Sequence, residues 1–169
     1  GVRAARRSAT DTYHVEHGPE GAAARVRTEW DHDAAGNIVE ERAMGRVDPN
    51  TGADLPGDER ITTTAYAVPT AADGPQSLPA EVVVTDGDGV QVSATRTYYD
   101  GEPEQGLPLG HVARRGLVVR AETWTDGENW LLSLRQTHDI HGNVTRIRDA
   151  EGGTLERDYD DAGLFPVEE

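Results

Sequence analysis

The sequence predicts an all-β protein built from consecutive antiparallel β-hairpins that form a curved sheet. Three observations support this prediction. Apolar and polar residues alternate with a period of two, Asp-Gly turns separate the alternating segments, and helical periodicity is hard to find. Aromatic residues make up only 5% of the 169 residues, against 19 glycines and 9 prolines. This composition suits many short strands and turns and argues against a thick core.

The strands can be assigned in chain order from their alternation and their β-branched residues. They are residues 25–30, 61–68, 81–84 with 90–99, 117–124 with 130–138, and 143–149 with 154–160. The last three pairs flank turns at 86–89, 125–129 and 150–153, where Gly supplies the positive φ that tight hairpins need. Longer connections rich in Pro and Gly are predicted at 47–57, 69–79 and 101–110.

Three regions follow along the chain. Residues 1–23 are predicted to be an N-terminal arm that is poorly ordered or extended, residues 24–166 the hairpin region, and residues 167–169 a C-terminal tail. Arg3, Arg6 and Arg7 suggest an anion-binding arm, but a frayed and solvated terminus is the favoured interpretation. Because the chain begins with Gly rather than Met, we expect it to be part of a longer protein.

Composition excludes several classes of function. A net charge of −15 argues against nucleic-acid binding, which needs a clustered basic face. Cysteine is absent, so disulfides, thiolate metal sites and cysteine nucleophiles are excluded. No apolar run approaches the ~18 residues of a membrane span, and no signal peptide is visible.

A short signature occurs three times, in segments 30–37, 138–143 and 159–163. Each copy has a ring, an Asp and, after a spacer, a Gly; the last two glycines lie 21 residues apart, at Gly142 and Gly163. The Asp is expected to accept hydrogen bonds from turn amides, and Gly, followed in two copies by Asn, to provide the left-handed backbone. The rings are expected to stack in a column over neighbouring hairpins. The predicted structural residues are Trp30, Asp31, Gly36, Asn37, His138, Asp139, Gly142, Asn143, Tyr159, Asp160 and Gly163.

These copies resemble the YD repeat of Rhs-type proteins, and segment 139–163 is close to a full repeat plus the start of the next. Segments 61–69 and 96–124 are similar to the middle region of the SpvB-like B component of bacterial insecticidal Tc toxin complexes. The elements Tyr98-Tyr99-Asp100-Gly101 and Gly106-Leu107-Pro108-Leu109-Gly110 carry that similarity. The two resemblances cover roughly residues 24–166.

The resemblance implies a section of a hollow β-shell that encloses a toxin polypeptide. The implied partners are the remainder of the parent chain and a second shell subunit, and the implied location is secreted or at the bacterial cell surface. The C-terminal core signature at which the family cuts off its cargo is missing, so no autoproteolytic residue is assigned. We also expect self-association through open sheet edges, no cofactor and no enzymatic activity.

Two other classes of function compete with a shell. A carbohydrate-binding or cell-surface-binding module would use exposed rings for stacking on sugars; the candidates are Trp30, Trp124, Trp130, Tyr98 and Tyr99. A hydrolase would need two convergent carboxylates, and Asp86 and Asp88 are better explained as an ordinary hairpin turn. None of the four serines, Ser8, Ser77, Ser93 and Ser133, lies in a nucleophile-elbow motif.

Two candidate metal motifs are weak. His138 and His141 lack the further convergent ligands that zinc requires, and the segment 31–33 is interpreted as another turn. Residues 48–54 with Glu59 resemble a calcium loop, but Gly52 stands at a ligand position and Ala53 where the loop glycine is required. A structural interpretation is favoured for both motifs.

Overall fold

A computed structural model describes residues 6–15, 23–70, 73–160 and 162–167. No helix occurs among them, and a large antiparallel sheet of ten strands in consecutive hairpin order confirms the predicted all-β class. The strands are β1 (Ala9–Val15), β2 (Ala23–His32), β3 (Ile38–Val47), β4 (Arg60–Tyr66), β5 (Val68–Pro69), β6 (Pro79–Asp86), β7 (Gln91–Tyr99), β8 (His111–Val112), β9 (Val118–Asp126), β10 (Asn129–His138), β11 (Val144–Asp149), β12 (Thr154–Glu156), β13 (Asp158–Tyr159) and β14 (Pro166–Val167).

The order of strands in the large sheet is β1-β2-β3-β4-β6-β7-β9-β10-β11-β12. The two remaining sheets are small: β5 pairs with β8 in parallel, and β13 pairs with β14 in antiparallel orientation. The chain divides into two compact units. Unit 1 comprises Gly1–Thr64 and Val83–Val92, and unit 2 comprises Ala65–Val82 and Ser93–Glu169.

The N-terminal segment contributes a strand to unit 1. β1 lies within the region predicted as an arm and pairs with β2 over its whole length. Asp11 of β1 accepts hydrogen bonds from Arg25 and Arg27 of β2, at 2.6 and 2.8 Å, and these bonds hold the pKa of its carboxyl far below the ordinary value. Cross-strand charge pairs of this kind stabilise a hairpin. Arg3 lies outside the described residues.

The last predicted hairpin is corrected. The sequence predicts one strand over residues 154–160, whereas β12 ends at Glu156 and β13 pairs with β14 instead. Arg157 marks the break, because its amide still donates to the carbonyl of Thr145 while the chain beyond it leaves the large sheet.

The core of unit 2 is small. Ala67, Ala80, Tyr99 and Val112 form its buried cluster, and Leu78, Leu109 and Val118 pack against it. Tyr99 is the largest buried member, and its hydroxyl donates to the carbonyl of Pro79 at 2.8 Å. Burial raises the pKa of this phenol.

Candidate functional site

Five hairpin turns in the described part of the chain share one hydrogen-bond pattern, which we call the Asp-Gly turn. In each, the carbonyl of an Asp accepts from the amide of a Gly three residues later, and the Asp side chain accepts from the following amide. Every such Gly has a positive φ, as expected for a type I turn closed by a left-handed residue. The turns begin at Asp33 and Asp86 in unit 1 and at Asp139, Asp149 and Asp160 in unit 2.

The structure corrects the first copy of the signature. Asp33 holds this turn, accepting from the amides of Gly36 and Asn37 at 2.7 and 2.9 Å. Asp31 lies two residues earlier within β2 and accepts from Arg42 at 2.9 Å. The ring next to the turn is therefore His32, and the copy has the same length as the other two. The spacing from Asp to Gly, which is the same in all three copies, could have identified Asp33 from the sequence. The preference for an aromatic ring before the Asp selected Trp30 and Asp31 instead.

The predicted rings have separate partners. Trp30 donates through Nε1 to Glu41 at 2.8 Å, and the hydroxyl of Tyr159 donates to the carbonyl of Val144 at 3.4 Å. His138 lines a cavity of unit 2 described below. Stacking of the three rings in one column stays a prediction.

The role assigned to Asn is also corrected. Asn37 and Asn143 are not among the residues with positive φ. Instead, their side-chain amides donate to the second carboxylate oxygen of the turn Asp, at 2.8 and 2.9 Å. Asn143 makes a second bond, 2.7 Å to the carbonyl of Gly163, which joins the Asp139 turn to the Asp160 turn of unit 2.

We expect Asn143→Ala to lower the free energy of unfolding by about 1–2 kcal/mol, because both of these bonds are lost. The control is Asn129→Ala, which removes a single bond to Asp126 in an exposed turn and should cost less than about 1 kcal/mol. Urea unfolding measures both. An equal cost for the two variants would contradict the bridging role of Asn143.

The connection between β7 and β9 is organised by Asp100, which the sequence analysis did not assign to a site. Its carboxylate accepts four backbone N–H bonds from segment 113–117, between 2.9 and 3.3 Å. Asp100 itself has φ 48°, in the left-handed region. The Tyr99-Asp100-Gly101 element thus closes a clasp between the end of β7 and the start of β9.

A cavity of about 370 Å³ lies beside this clasp in unit 2. Its apolar lining includes Pro103, Leu117 and Val119, and its polar lining includes Asp100, His138, Arg115 and Asp139. The guanidinium of Arg115 donates to the carbonyl of Asp139 over a long 3.5 Å. Burial, reinforced by the charge of Arg115, lowers the pKa of His138, so its imidazole is neutral at pH 7.

This shift of the pKa predicts a pH dependence of stability. The folded pKa of His138 lies below the unfolded value of about 6.5, so the unfolded state binds the proton more readily. Stability should be fullest above pH 6.5 and fall as the pH drops toward the folded pKa. Chemical unfolding of the wild type and His138→Gln, followed across pH 7.5 to 5 (a range of roughly two units around the ordinary pKa), should show a shallower slope for the variant. Identical slopes would refute this assignment.

One face of the sheet in unit 2 carries a ladder of charged and aromatic side chains, which we call the charged ladder. Its members are Glu81, Arg96, Tyr98, Arg120, Glu122 and Trp130. Arg96 donates to Glu81 at 2.7 Å and lies over the ring of Trp130, 3.7 Å from its centroid. The guanidinium of Arg120 lies 4.5 Å from the ring centroid of Tyr98 and pairs with Glu122.

Within the charged ladder, the hydroxyl of Tyr98 also donates a hydrogen bond to Glu122 at 2.8 Å. Burial and this bond raise the pKa of the phenol. Burial alone would raise the pKa of Glu122, but bonds from Arg120 and Tyr98 overcome it and lower that pKa. Trp124, paired with Trp130 across β9 and β10, donates to the carbonyl of Gly127 at 2.9 Å.

The two metal motifs resolve into turn structure. Asp48 Oδ1 accepts from the amides of Asn50 and Thr51 and from the Thr51 hydroxyl, which is an Asx-type turn. His138 is the last residue of β10, whereas His141 lies inside the turn that Asp139 holds, where its amide donates to the Asp139 carboxylate at 2.8 Å. Within the described residues, no three His, Asp or Glu side chains converge as a metal site would require.

No protein-family model and no curated protein matches this sequence. In the described ranges, no helix is long and apolar enough to cross a membrane.

Proposed function

We propose that this chain is a structural section of an Rhs/YD-repeat β-shell, which encloses a toxin polypeptide in a secreted bacterial toxin complex. The consecutive hairpin order of the ten-stranded sheet supports this, because a ribbon of hairpins can extend by adding further hairpins at either edge. The main support is the shortage of a core relative to the apolar surface.

Among the described residues, the apolar side chains that are buried are alanines, valines and a single tyrosine. The buried apolar residues among those described are Val47, Ala67, Ala80, Ala94, Tyr99, Val112 and Val119. Large apolar side chains remain exposed along the chain, namely Tyr13, Ile38, Leu55, Val68, Val90, Val92, Leu131, Ile140, Leu155, Leu164, Phe165 and Val167. A sheet that buries few apolar side chains and exposes many is expected to pack against further protein.

The contacts of the aromatic rings favour a shell section over a carbohydrate-binding module. A sugar-binding groove presents several rings with free faces and polar edges to solvent. Here Tyr99 is buried, the rings of Tyr98 and Trp130 are covered by guanidinium groups, and the indole N–H groups of Trp30 and Trp124 are bonded within the protein. Each of these rings therefore makes contacts within the protein, as expected for a shell section.

Self-association of the purified chain tests the proposal. We expect sedimentation velocity to show concentration-dependent association and thermal unfolding to occur at low temperature with a broad transition. Leu155→Lys places a charge on the edge strand β12 and should reduce the association. Leu131→Lys is the matched control, since both leucines are 50% exposed but β10 is an interior strand. A monomer that unfolds in a sharp thermal transition at high temperature would contradict the proposal that this chain is a section of a shell.

The neighbouring coding sequence tests enclosure. A shell requires many more copies of the ring, Asp and Gly signature at a spacing of roughly 20 residues, encoded next to this segment. The parent protein should then protect an enclosed polypeptide from added protease until the shell is denatured. Binding on a glycan array, lost in Trp130→Ala, would instead favour the carbohydrate-binding module.

A further inference from the structure

The cavity of unit 2 is lined both by apolar residues and by two neighbouring arginines. Its volume of about 370 Å³ and its apolar lining fit the ordinary description of a small-molecule site. Arg114 and Arg115 both line it. Arg114 is 75% exposed, and its ion pair with Asp73 is long, at 3.6 Å.

The carboxylates beside the cavity already have hydrogen-bond partners. Asp100 accepts its four amide bonds from segment 113–117. Asp139 accepts from the amide of His141 and from the amide and side chain of Asn143, at 2.8 to 2.9 Å. The carboxylate acceptors of this site are therefore occupied. The contacts of the two arginines within the described residues are long, 3.6 Å from Arg114 to Asp73 and 3.5 Å from Arg115 to the carbonyl of Asp139.

We propose that this cavity binds a small amphiphilic carboxylate. The apolar body of the ligand packs on Leu117 and Val119, and its carboxylate pairs with the guanidinium groups of Arg114 and Arg115. Guanidinium groups bind carboxylates through paired, charge-assisted hydrogen bonds. A bound anion also stabilises the protonated form of His138, so ligand binding and protonation of this imidazole are coupled.

The groups around His138 determine the sign of this coupling. Burial lowers the pKa of His138 most, and the positive charge of Arg115 lowers it further, by more than either Asp139 or Asp100 raises it. A carboxylate paired with Arg115 offsets that positive charge. The pKa of His138 should therefore rise when the ligand is bound.

The experiment uses the whole chain and two probes of equal size, 3-phenylpropionate and its neutral amide. Two-dimensional NMR should show saturable shifts for segments 100–103, 113–119 and 137–139 with the acid, and binding of the amide about tenfold weaker. The His138 imidazole should titrate at higher pH when the acid is present. The amide should leave that titration unchanged.

Three variants complete the test. Arg115→Gln and Arg114→Gln should each weaken binding of the acid about tenfold and leave binding of the amide unchanged. Because Arg114 is well exposed, its replacement tests the proposal even where Arg115→Gln disturbs the Asp139 turn. Arg157→Gln, with the same loss of charge in unit 2 outside the cavity lining, should bind the acid as the wild type does. Three results would each overturn the proposal. They are equal affinity for the acid and the amide, unchanged affinity for the acid in both Arg114→Gln and Arg115→Gln, and no saturation by the acid up to about 10 mM.

Discussion

Asp100→Ala is expected to lower the free energy of unfolding of unit 2 by about 4 kcal/mol, near the upper end for single substitutions. The variant removes the acceptor of four backbone N–H groups in segment 113–117. Each donor left without a partner costs roughly 1–3 kcal/mol when buried, and partial exposure to water offsets some of this cost. Alanine is also disfavoured at the left-handed φ of residue 100.

Asp100→Asn separates these causes. Asparagine tolerates the left-handed backbone and keeps one carbonyl oxygen, so we expect a cost of about 2 kcal/mol. The control is Asp158→Asn in β13, which removes the same charge and should change stability by less than about 0.5 kcal/mol. Guanidinium unfolding, with hydrogen exchange of the amides of residues 113–117, measures the effect. Unchanged exchange in Asp100→Asn would show that the clasp does not depend on the carboxylate.

The local features of the fold could be predicted from the sequence because their causes lie within a few residues. Alternation identified β7, β9 and β10 nearly to their ends. The hydrogen bond that the amide of Asn143 donates to the Asp139 carboxylate spans four residues and follows from residue types alone. Asp31 was wrongly assigned as the turn residue because two aspartates flank His32. Only the number of residues to Gly36 identifies Asp33 as the one that holds the turn.

The clasp and the cavity could not be predicted in this way. Asp100 meets Leu117 across 17 residues of chain, and no periodicity predicts the path of that connection. Arg115 reaches the carbonyl of Asp139 across 24 residues. The resemblance drew attention to segments 98–101 and 106–110 but did not indicate that they contact each other. Long-range hydrogen bonds depend on the packing of the sheet, which a single sequence leaves open.

That contact between the two glycine-containing segments leads to the second large effect. Gly101 has φ +79°, and a methyl group on its Cα would lie 2.9 Å from the backbone of both Gly106 and Leu107. Backbone cannot move aside as a flexible side chain does. We therefore expect Gly101→Ala to destabilise unit 2 by about 3 kcal/mol, from left-handed strain of roughly 1–2 kcal/mol and a steric clash of similar size.

Gly152→Ala is a close control for the backbone term. Gly152 has φ +88° in the same unit, yet a methyl group there would meet no atom within 4 Å. Its substitution should cost only the strain, about 1 kcal/mol. The difference between the two variants in urea unfolding thus isolates the close approach of segments 98–101 and 106–110. If both variants lost the same stability, the two segments would not be in contact in solution.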